Sequence, residues 1–124
     1  MPARRQDRLR WVPAGASWVR LGETLLFTGS APYYDAYFDY LGAAATAAPA
    51  AALRIMNSLG VTPVLLEQER SSGHDLLFAG DVAGFERLAR LNAEAMHAAG
   101  VKTVVTTCAE SFHVLAFHYR RAVP

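Results

Sequence analysis

Three short apolar runs, separated by helical segments, constrain the fold of this chain more than any other feature. The runs cover residues 24–28, 61–67 and 102–107. Each is centred on adjacent apolar residues rather than on an alternating pattern, which is typical of parallel strands covered on both faces. Strand–helix–strand connections of this kind are right-handed and return each strand to the same sheet. The sequence therefore predicts an α/β fold, a small three-layer domain with a mostly parallel sheet and helices on both faces.

Helical spacing and capping residues predict the covering helices. Residues 35–59 are expected to be helical in two pieces, with Pro49 in the first turn of the second piece and Gly60 after its end. The clearest helix runs from about 82 to 99, with Asp81 as its N-cap. A last helix is expected over 110–119, and residues 68–80 are expected to form a long loop.

Length and composition fit one globular domain. The chain has 124 residues, of which 52% are hydrophobic and 19% are charged, enough for a hydrophobic core. We predict an arm over 1–20 and an α/β domain over 21–124. In the arm, the apolar anchors Trp11, Val12, Trp18 and Val19 are expected to dock onto this domain or a partner. The arginines Arg4, Arg5, Arg8 and Arg10 are expected to be solvated.

Charge and cysteine content argue against several function classes. A net charge of +1 gives no case for nucleic acid, and one cysteine cannot form an intramolecular disulfide. We find no signal peptide, and the apolar segment 42–53 is shorter than the roughly 20 residues that span a bilayer. A cytoplasmic location is therefore expected, and peripheral attachment to a membrane complex stays open.

Small serine and cysteine residues follow all three predicted strands. Ser30 follows the first, Ser71 and Ser72 follow the second, and Cys108 and Ser111 follow the third. The carboxyl ends of parallel strands share one edge of the sheet, where α/β proteins build their sites, so we expect Ser30, Ser71, Ser72 and Cys108 to converge. Thiolates bind soft metals and iron–sulfur clusters strongly, whereas neutral hydroxyls are poor ligands for them.

This arrangement resembles the cysteine-rich (CCG) domain of the heterodisulfide reductase and glycolate oxidase iron–sulfur subunit family, over about residues 25–119. In that family one cysteine follows the first strand, Cys-Cys-Gly the second and Cys-x-x-Cys the third. Here the second position reads Ser71-Ser72-Gly73. Residues 78–81 and the helix through 91–92 are also similar. The resemblance implies the family's α/β fold and a setting among oxidoreductases.

The resemblance places five positions of this chain where the family has cluster ligands: Ser30, Ser71, Ser72, Cys108 and Ser111. Family members use such cysteines to hold a 4Fe–4S cluster or, in some cases, zinc. One thiolate cannot replace a whole ligand set. We therefore expect these positions to be vacant, with no cluster and no metal. Natural loss and deliberate substitution both stay open as the origin of the serines.

For the other reactive side chains, structural roles are favoured over catalytic ones. Cys108 is either a reactive thiol at a helix start or a small buried residue, and the second is favoured. Ser72 with His74 and Asp75 suggests a hydrolase, but adjacent residues rarely orient one another and no Gly-x-Ser-x-Gly turn is present. We expect His74 to fix its loop by hydrogen bonding and Asp75 to cap the short segment after it.

Two further groups are candidates for binding. His113 and His118 are five residues apart, so they are not expected to share a helix face as a metal pair. The densest aromatic group is expected to be core or, where exposed, a protein-binding surface; its members are Tyr33, Tyr34, Tyr37, Phe38 and Tyr40.

The leading functional hypothesis is a cluster-less CCG-type domain that acts as a structural or protein-interaction module, related to an oxidoreductase assembly. It would dock with a protein partner or with a second copy of itself, and no catalytic residue is expected. The alternative hypothesis is an iron–sulfur electron-transfer or thiol–disulfide redox domain whose cysteines are substituted in this chain.

Overall fold

The computed structural model describes residues 8–42 and 44–123. Within these ranges the elements are two strands, six α-helices and one 3₁₀ helix. In chain order they are β1 (Thr24–Phe27), α1 (Ala31–Tyr37), the 3₁₀ helix (Asp39–Leu41), α2 (Ala47–Ser58), α3 (His74–Phe78), α4 (Val82–Ala99), β2 (Thr103–Thr106), α5 (Ala109–Phe117) and α6 (Tyr119–Ala122).

The strands β1 and β2 form a parallel pair. Their register runs from Thr24 opposite Thr103 to Phe27 opposite Thr106. Val64 adds isolated parallel bridges to Leu25 on one side and to Val19 on the other. The α/β class predicted from the sequence is confirmed.

The prediction of a strand over residues 61–67 is wrong, because this segment does not form a regular strand. Only Val64 pairs, through its N–H to Thr24 O at 2.7 Å and its carbonyl to Leu26 N at 3.1 Å. Pro63, which has no N–H to donate, precedes it, and the chain turns at 67–68. The segment is apolar because it is buried beside β1, as Val64 at 0% exposure shows.

The residues of β1 alternate between two hydrophobic layers. Leu25 and Phe27 pack with Met96 of α4 and Leu115 of α5. Leu26 faces the opposite way and packs in a second cluster, together with Leu53, Leu65 and Met56. Helices therefore cover both faces of the sheet at β1, as predicted, whereas Thr103 and Val105 of β2 are exposed.

The described part of the arm packs against the domain. Trp11, Val12 and Trp18 contact the cluster around Leu26. One predicted feature of the arm is wrong, because the Arg8 side chain is only 12% exposed and pairs with Glu69 instead of being solvated. Arg10 is exposed, and Arg4 and Arg5 lie outside the described residues.

The clearest predicted helix is confirmed as α4. Asp81 caps it, accepting a hydrogen bond from Gly84 N at 2.9 Å. Pro49 lies in the first turn of α2 as predicted, but the expected loop at 68–80 contains the short helix α3. The predicted last helix is broken at His118, between α5 and α6. Among the described helices, none is long and apolar enough to cross a bilayer.

Candidate functional site at the strand ends

Two of the predicted loops meet through serine hydroxyls. The Ser111 hydroxyl donates to the Ser72 hydroxyl at 3.2 Å, although 39 residues separate them in the sequence. Gly29 is also close, because a Cβ atom there would lie 3.5 Å from Ser111 Oγ. The chain after β1, the Val64 segment and β2 thus comes together at one end of the sheet.

The other three predicted positions lie at the border of this contact. Cys108 is half-buried at the start of α5, and its Sγ accepts a hydrogen bond from Ser111 N at 3.4 Å. The Ser71 hydroxyl accepts from Gly73 N at 3.2 Å. Ser30 is half-buried and precedes α1 without capping it. The structure therefore links Ser72, Ser111 and Cys108 directly, whereas Ser30 and Ser71 serve their own loops.

His74 connects the serine pair to two carboxylates. Its Nδ1 lies 2.9 Å from Ser72 Oγ, and its Nε2 lies 2.8 Å from both Asp75 Oδ1 and Glu110 Oε2. His74 thus fixes its loop, as predicted. The cap predicted for Asp75 is wrong, because Gly73 occupies the N-cap of α3 and Asp75 pairs with His74 instead.

Ser72, His74 and Asp75 are linked in the order of a catalytic triad. The expectation that adjacent residues would not orient one another is therefore wrong in geometry. Ser72 is nevertheless only 1% exposed, and its hydroxyl already contacts Ser111 and His74. A nucleophile must reach its substrate, so this burial argues against hydrolysis.

Asn92 and Tyr119 form hydrogen bonds with the backbone of the Ser71–Ser72 loop and fix its position. Asn92 is fully buried; its Oδ1 accepts from Arg70 N at 2.8 Å, and its Nδ2 donates to Ser71 O at 2.9 Å and to Tyr119 Oη at 3.1 Å. The Tyr119 hydroxyl donates to Ser72 O at 2.9 Å. Burial raises the pKa of Tyr119 to about 12, so this donor keeps its proton.

We call Ser72, Ser111, His74, Asn92 and Tyr119 the hydroxyl network. Sequence reasoning gave no structural role to Asn92 or Tyr119. A usable signal was present for Asn92, which lies three residues after Ala89 on the apolar face of α4. A polar residue on a buried face has hydrogen-bond partners in most structures.

A second polar cluster, the Glu69 clamp, holds the turn after β1. Glu69 Oε2 accepts hydrogen bonds from Thr28 N at 3.0 Å, Thr28 Oγ1 at 2.8 Å and Gly29 N at 2.9 Å. Arg8 Nη2 lies 3.5 Å from the same oxygen and donates to Gly29 O. Burial raises the pKa of Glu69 to about 7, against the opposing effect of these partners. Sequence reasoning missed this clamp.

The donor set does not fit an iron–sulfur cluster. Such clusters are held by several thiolates, and these loops offer one thiol, Cys108, beside hydroxyl groups. The Ser72 and Ser111 hydroxyls are engaged with each other.

Two surface features differ from the simplest expectation. The break at His118 brings its Nε2 to 3.3 Å from His113 Nε2, although the five-residue spacing predicted that the two would not share a helix face. Tyr33, Tyr37 and Tyr40 are all exposed, Tyr40 by 78%, and Tyr33 stacks on Tyr37 with ring centroids 5.7 Å apart. This aromatic group therefore lies at the surface of the described chain.

Comparison with known proteins finds a distant relative among reductases. No family model and no solved structure matches. The chain is 31% identical over 122 residues to a subunit of the dihydromethanophenazine:CoB–CoM heterodisulfide reductase of Methanosarcina barkeri (strain Fusaro / DSM 804), covering 94% of this chain and 27% of that protein. The chain thus spans about a quarter of the length of this curated relative. It is distantly related to a heterodisulfide reductase subunit, which supports the predicted resemblance at that level.

Proposed function

We propose that this chain is a cluster-less domain related to heterodisulfide reductase subunits, and that it acts as a structural or protein-interaction module. The observation that carries the proposal is the hydrogen bond between Ser72 and Ser111. At the positions where the resemblance implies metal ligands, these two hydroxyls contact each other.

The burial of the hydroxyl network supports a structural role. Ser72 is 1% exposed and Ser111 is 3% exposed, and both hydroxyls have protein partners. Buried polar groups that satisfy one another stabilise a unique packing. In this proposal the loops that hold a cofactor in the resembled family have become part of the polar core.

The exposed aromatic side chains support the interaction role. Tyr33, Tyr37, Tyr40 and Leu41 are all exposed, on α1 and the 3₁₀ helix that follows it. Tyrosine is enriched in protein interfaces because it contributes large apolar area with little loss of side-chain entropy. The partner would be another oxidoreductase subunit or a second copy of this chain.

The alternative is an electron-transfer or thiol–disulfide redox domain whose cysteines are substituted here. One observation favours it: Ser72, Ser111 and Cys108 still converge, as ligands of one group would. Under this alternative, the substitutions Ser30→Cys, Ser71→Cys, Ser72→Cys and Ser111→Cys together restore the binding of a cluster.

The deciding experiment is iron and sulfide analysis of anaerobically purified protein, with its visible spectrum. We expect folded, colourless protein without stoichiometric iron or sulfide. The fourfold cysteine variant, reconstituted in parallel with iron and sulfide, is the matched positive control. Stoichiometric iron and sulfide in the unsubstituted chain would contradict the proposal.

Sedimentation velocity tests the interaction role for the case of a second copy. We expect association to increase with protein concentration and to weaken in Tyr37→Ser and Tyr40→Ser variants. Leu59→Ser is a control at a residue that is also exposed, by 75%, but lies at the end of α2. Equal weakening by all three changes would contradict a specific aromatic interface.

A further inference from the structure

Three donor atoms from two separate helices converge beside the hydroxyl network. They are His74 Nε2, Asp75 Oδ1 and Glu110 Oε2, and they lie within 4.8 Å of one another. His74 and Asp75 begin α3, whereas Glu110 is in the first turn of α5. We propose that these three side chains form a binding site for a zinc ion. The proposal concerns other residues than the strand-end serines and does not rest on the proposed function.

The imidazole is held in the orientation that a metal ligand needs. His74 is 7% exposed, and its Nδ1 is fixed by Ser72 Oγ at 2.9 Å. Histidine ligands in proteins usually bond a second group through the ring nitrogen that does not bind the metal, and this partner sets the ring orientation and the tautomer. With Nδ1 engaged, Nε2 is the nitrogen directed at the two carboxylates.

The donor chemistry selects the metal class. Zinc accepts imidazole nitrogen and carboxylate oxygen, and three protein ligands with an open fourth position form a common zinc site. Magnesium and calcium prefer sites built from oxygen alone, and iron–sulfur clusters need thiolates. One nitrogen and two oxygens therefore favour zinc over these alternatives.

The charge around the site also favours a cation. Over the described residues, the carboxylates of Asp75 and Glu110 contact His74, and neither carboxylate pairs with a lysine or arginine. The side chains of Asp75 and Glu110 are 61% and 65% exposed, so an ion and a bound water can reach the site. Desolvation, together with these two carboxylates, raises the pKa of Tyr34 on α1, which is consistent with excess negative charge.

Isothermal titration of the metal-free 124-residue chain with zinc sulfate tests the proposal. We expect one zinc ion per chain. Glu110→Gln keeps the side-chain shape at an exposed position and should weaken binding by about tenfold or more. His74→Ala should weaken it further. Ser72→Ala leaves the three ligands in place and should weaken it by about 10- to 100-fold, the range for loss of a group that orients a ligand.

The matched control is the double variant His113→Ala with His118→Ala. These two imidazoles are the competing zinc ligands on the described surface, with Nε2 atoms 3.3 Å apart. Zinc affinity should be unchanged in this variant. Loss of binding here and not in Glu110→Gln would overturn the proposal, as would the absence of zinc binding in the unsubstituted chain.

The absorption spectrum of the chain loaded with cobalt in place of zinc distinguishes this site from one in which Cys108 binds the metal. Three nitrogen and oxygen donors should give a cobalt spectrum without a sulfur-to-cobalt charge-transfer band, and such a band would contradict the proposal. If His74→Ala fails to fold by circular dichroism, Glu110→Gln and Asp75→Asn decide the question alone. Iron and sulfide content, which tests the proposed function, is measured independently of all these titrations.

Discussion

The hydroxyl network and the Glu69 clamp lie at the same end of the sheet but satisfy buried polar groups in different ways. At the centre of the network, the Ser111 hydroxyl donates to the Ser72 hydroxyl, the Asn92 amide donates to the Tyr119 hydroxyl, and the Tyr119 hydroxyl donates to the Ser72 backbone carbonyl. In the clamp, one buried carboxyl receives three hydrogen bonds and faces an arginine. Removing part of a neutral network costs about as much as its hydrogen bonds, whereas breaking a buried ion pair leaves an uncompensated charge. The clamp should therefore respond more strongly to substitution and to pH.

The largest expected effect is that of Glu69→Ala. Loss of the carboxylate leaves Thr28 N and Gly29 N without their acceptor and Arg8 without its counter-charge. We expect the free energy of unfolding to fall by about 3–5 kcal/mol, measured by urea denaturation at neutral pH.

Glu69→Gln is the matched control, because its amide oxygen can still accept hydrogen bonds from the turn after β1. It should lose clearly less stability than Glu69→Ala. Equal losses for the two variants would show that the hydrogen bonds to Thr28 and Gly29 contribute little.

The second prediction concerns pH. The pKa of Glu69 is raised from 4.5 to about 7 in the folded chain, so the folded state binds the proton more readily than the unfolded state. The resulting stabilisation is fully present below pH 4.5 and is lost as the pH rises through about 7. The difference in unfolding free energy between the unsubstituted chain and Glu69→Gln should fall by about 3 kcal/mol over this window.

Taking the difference in unfolding free energy between the unsubstituted chain and Glu69→Gln cancels the contribution of the other titrating groups, because both proteins share them. A difference that rises with pH over the same window would mean that Arg8 and the three donors keep the carboxylate ionised. That result would mean that the clamp acts as a buried ion pair throughout this pH window.

The third prediction concerns the network. Asn92→Ala removes the acceptor of Arg70 N and the donor to both Ser71 O and the Tyr119 hydroxyl, and we expect a loss of about 2–3 kcal/mol in urea denaturation. Tyr119→Phe removes a single hydroxyl and should lose about 1 kcal/mol. If Tyr119→Phe lost as much as Asn92→Ala, the network would not behave as a sum of neutral hydrogen bonds.

An effect smaller than that of Asn92→Ala is expected in the backbone that carries the network. Gly73 has φ of +87°, and a Cβ atom there would lie 2.9 Å from Phe85 Cδ2. Gly73→Ala should lose about 2 kcal/mol of stability, from left-handed strain and from this contact. Gly60→Ala is the control, because Gly60 has φ of +79° with no atom within 4 Å; it should lose about 1 kcal/mol. Equal losses of stability in the two variants would mean that the Phe85 side chain moves aside without an energetic penalty.

Local signals in the sequence predicted the regular parts of the fold. The apolar periodicity and Asp81 located α4, and the first apolar run located β1. The same signals failed where contacts between distant parts of the chain determine the local structure. The apolar run at 61–67 has the pattern of a strand, but burial alone explains it, because Pro63 and the turn at 67–68 limit pairing to Val64.

The location of the site at the strand ends could be predicted from the sequence, but the side-chain contacts within it could not. Strand-end position predicted that the loops carrying Ser72 and Cys108 would converge, and the Ser72–Ser111 hydrogen bond joins these two loops. It did not predict that His74 bridges them to Glu110, because the approach of α3 to α5 depends on how both helices pack. The His113–His118 contact was missed because helical spacing assumes an unbroken helix, and the break at His118 alters that spacing.

The Tyr119 hydroxyl bond to Ser72 O joins residues 47 positions apart. During synthesis from the N-terminus, the Ser71–Ser72 loop emerges well before the residue that completes its support. Asn92, which bonds Ser71 O and Arg70 N in the folded chain, emerges in between. The loop is therefore expected to close in two steps on the ribosome, and a chain halted before Tyr119 should present it in a form open to proteolytic cleavage.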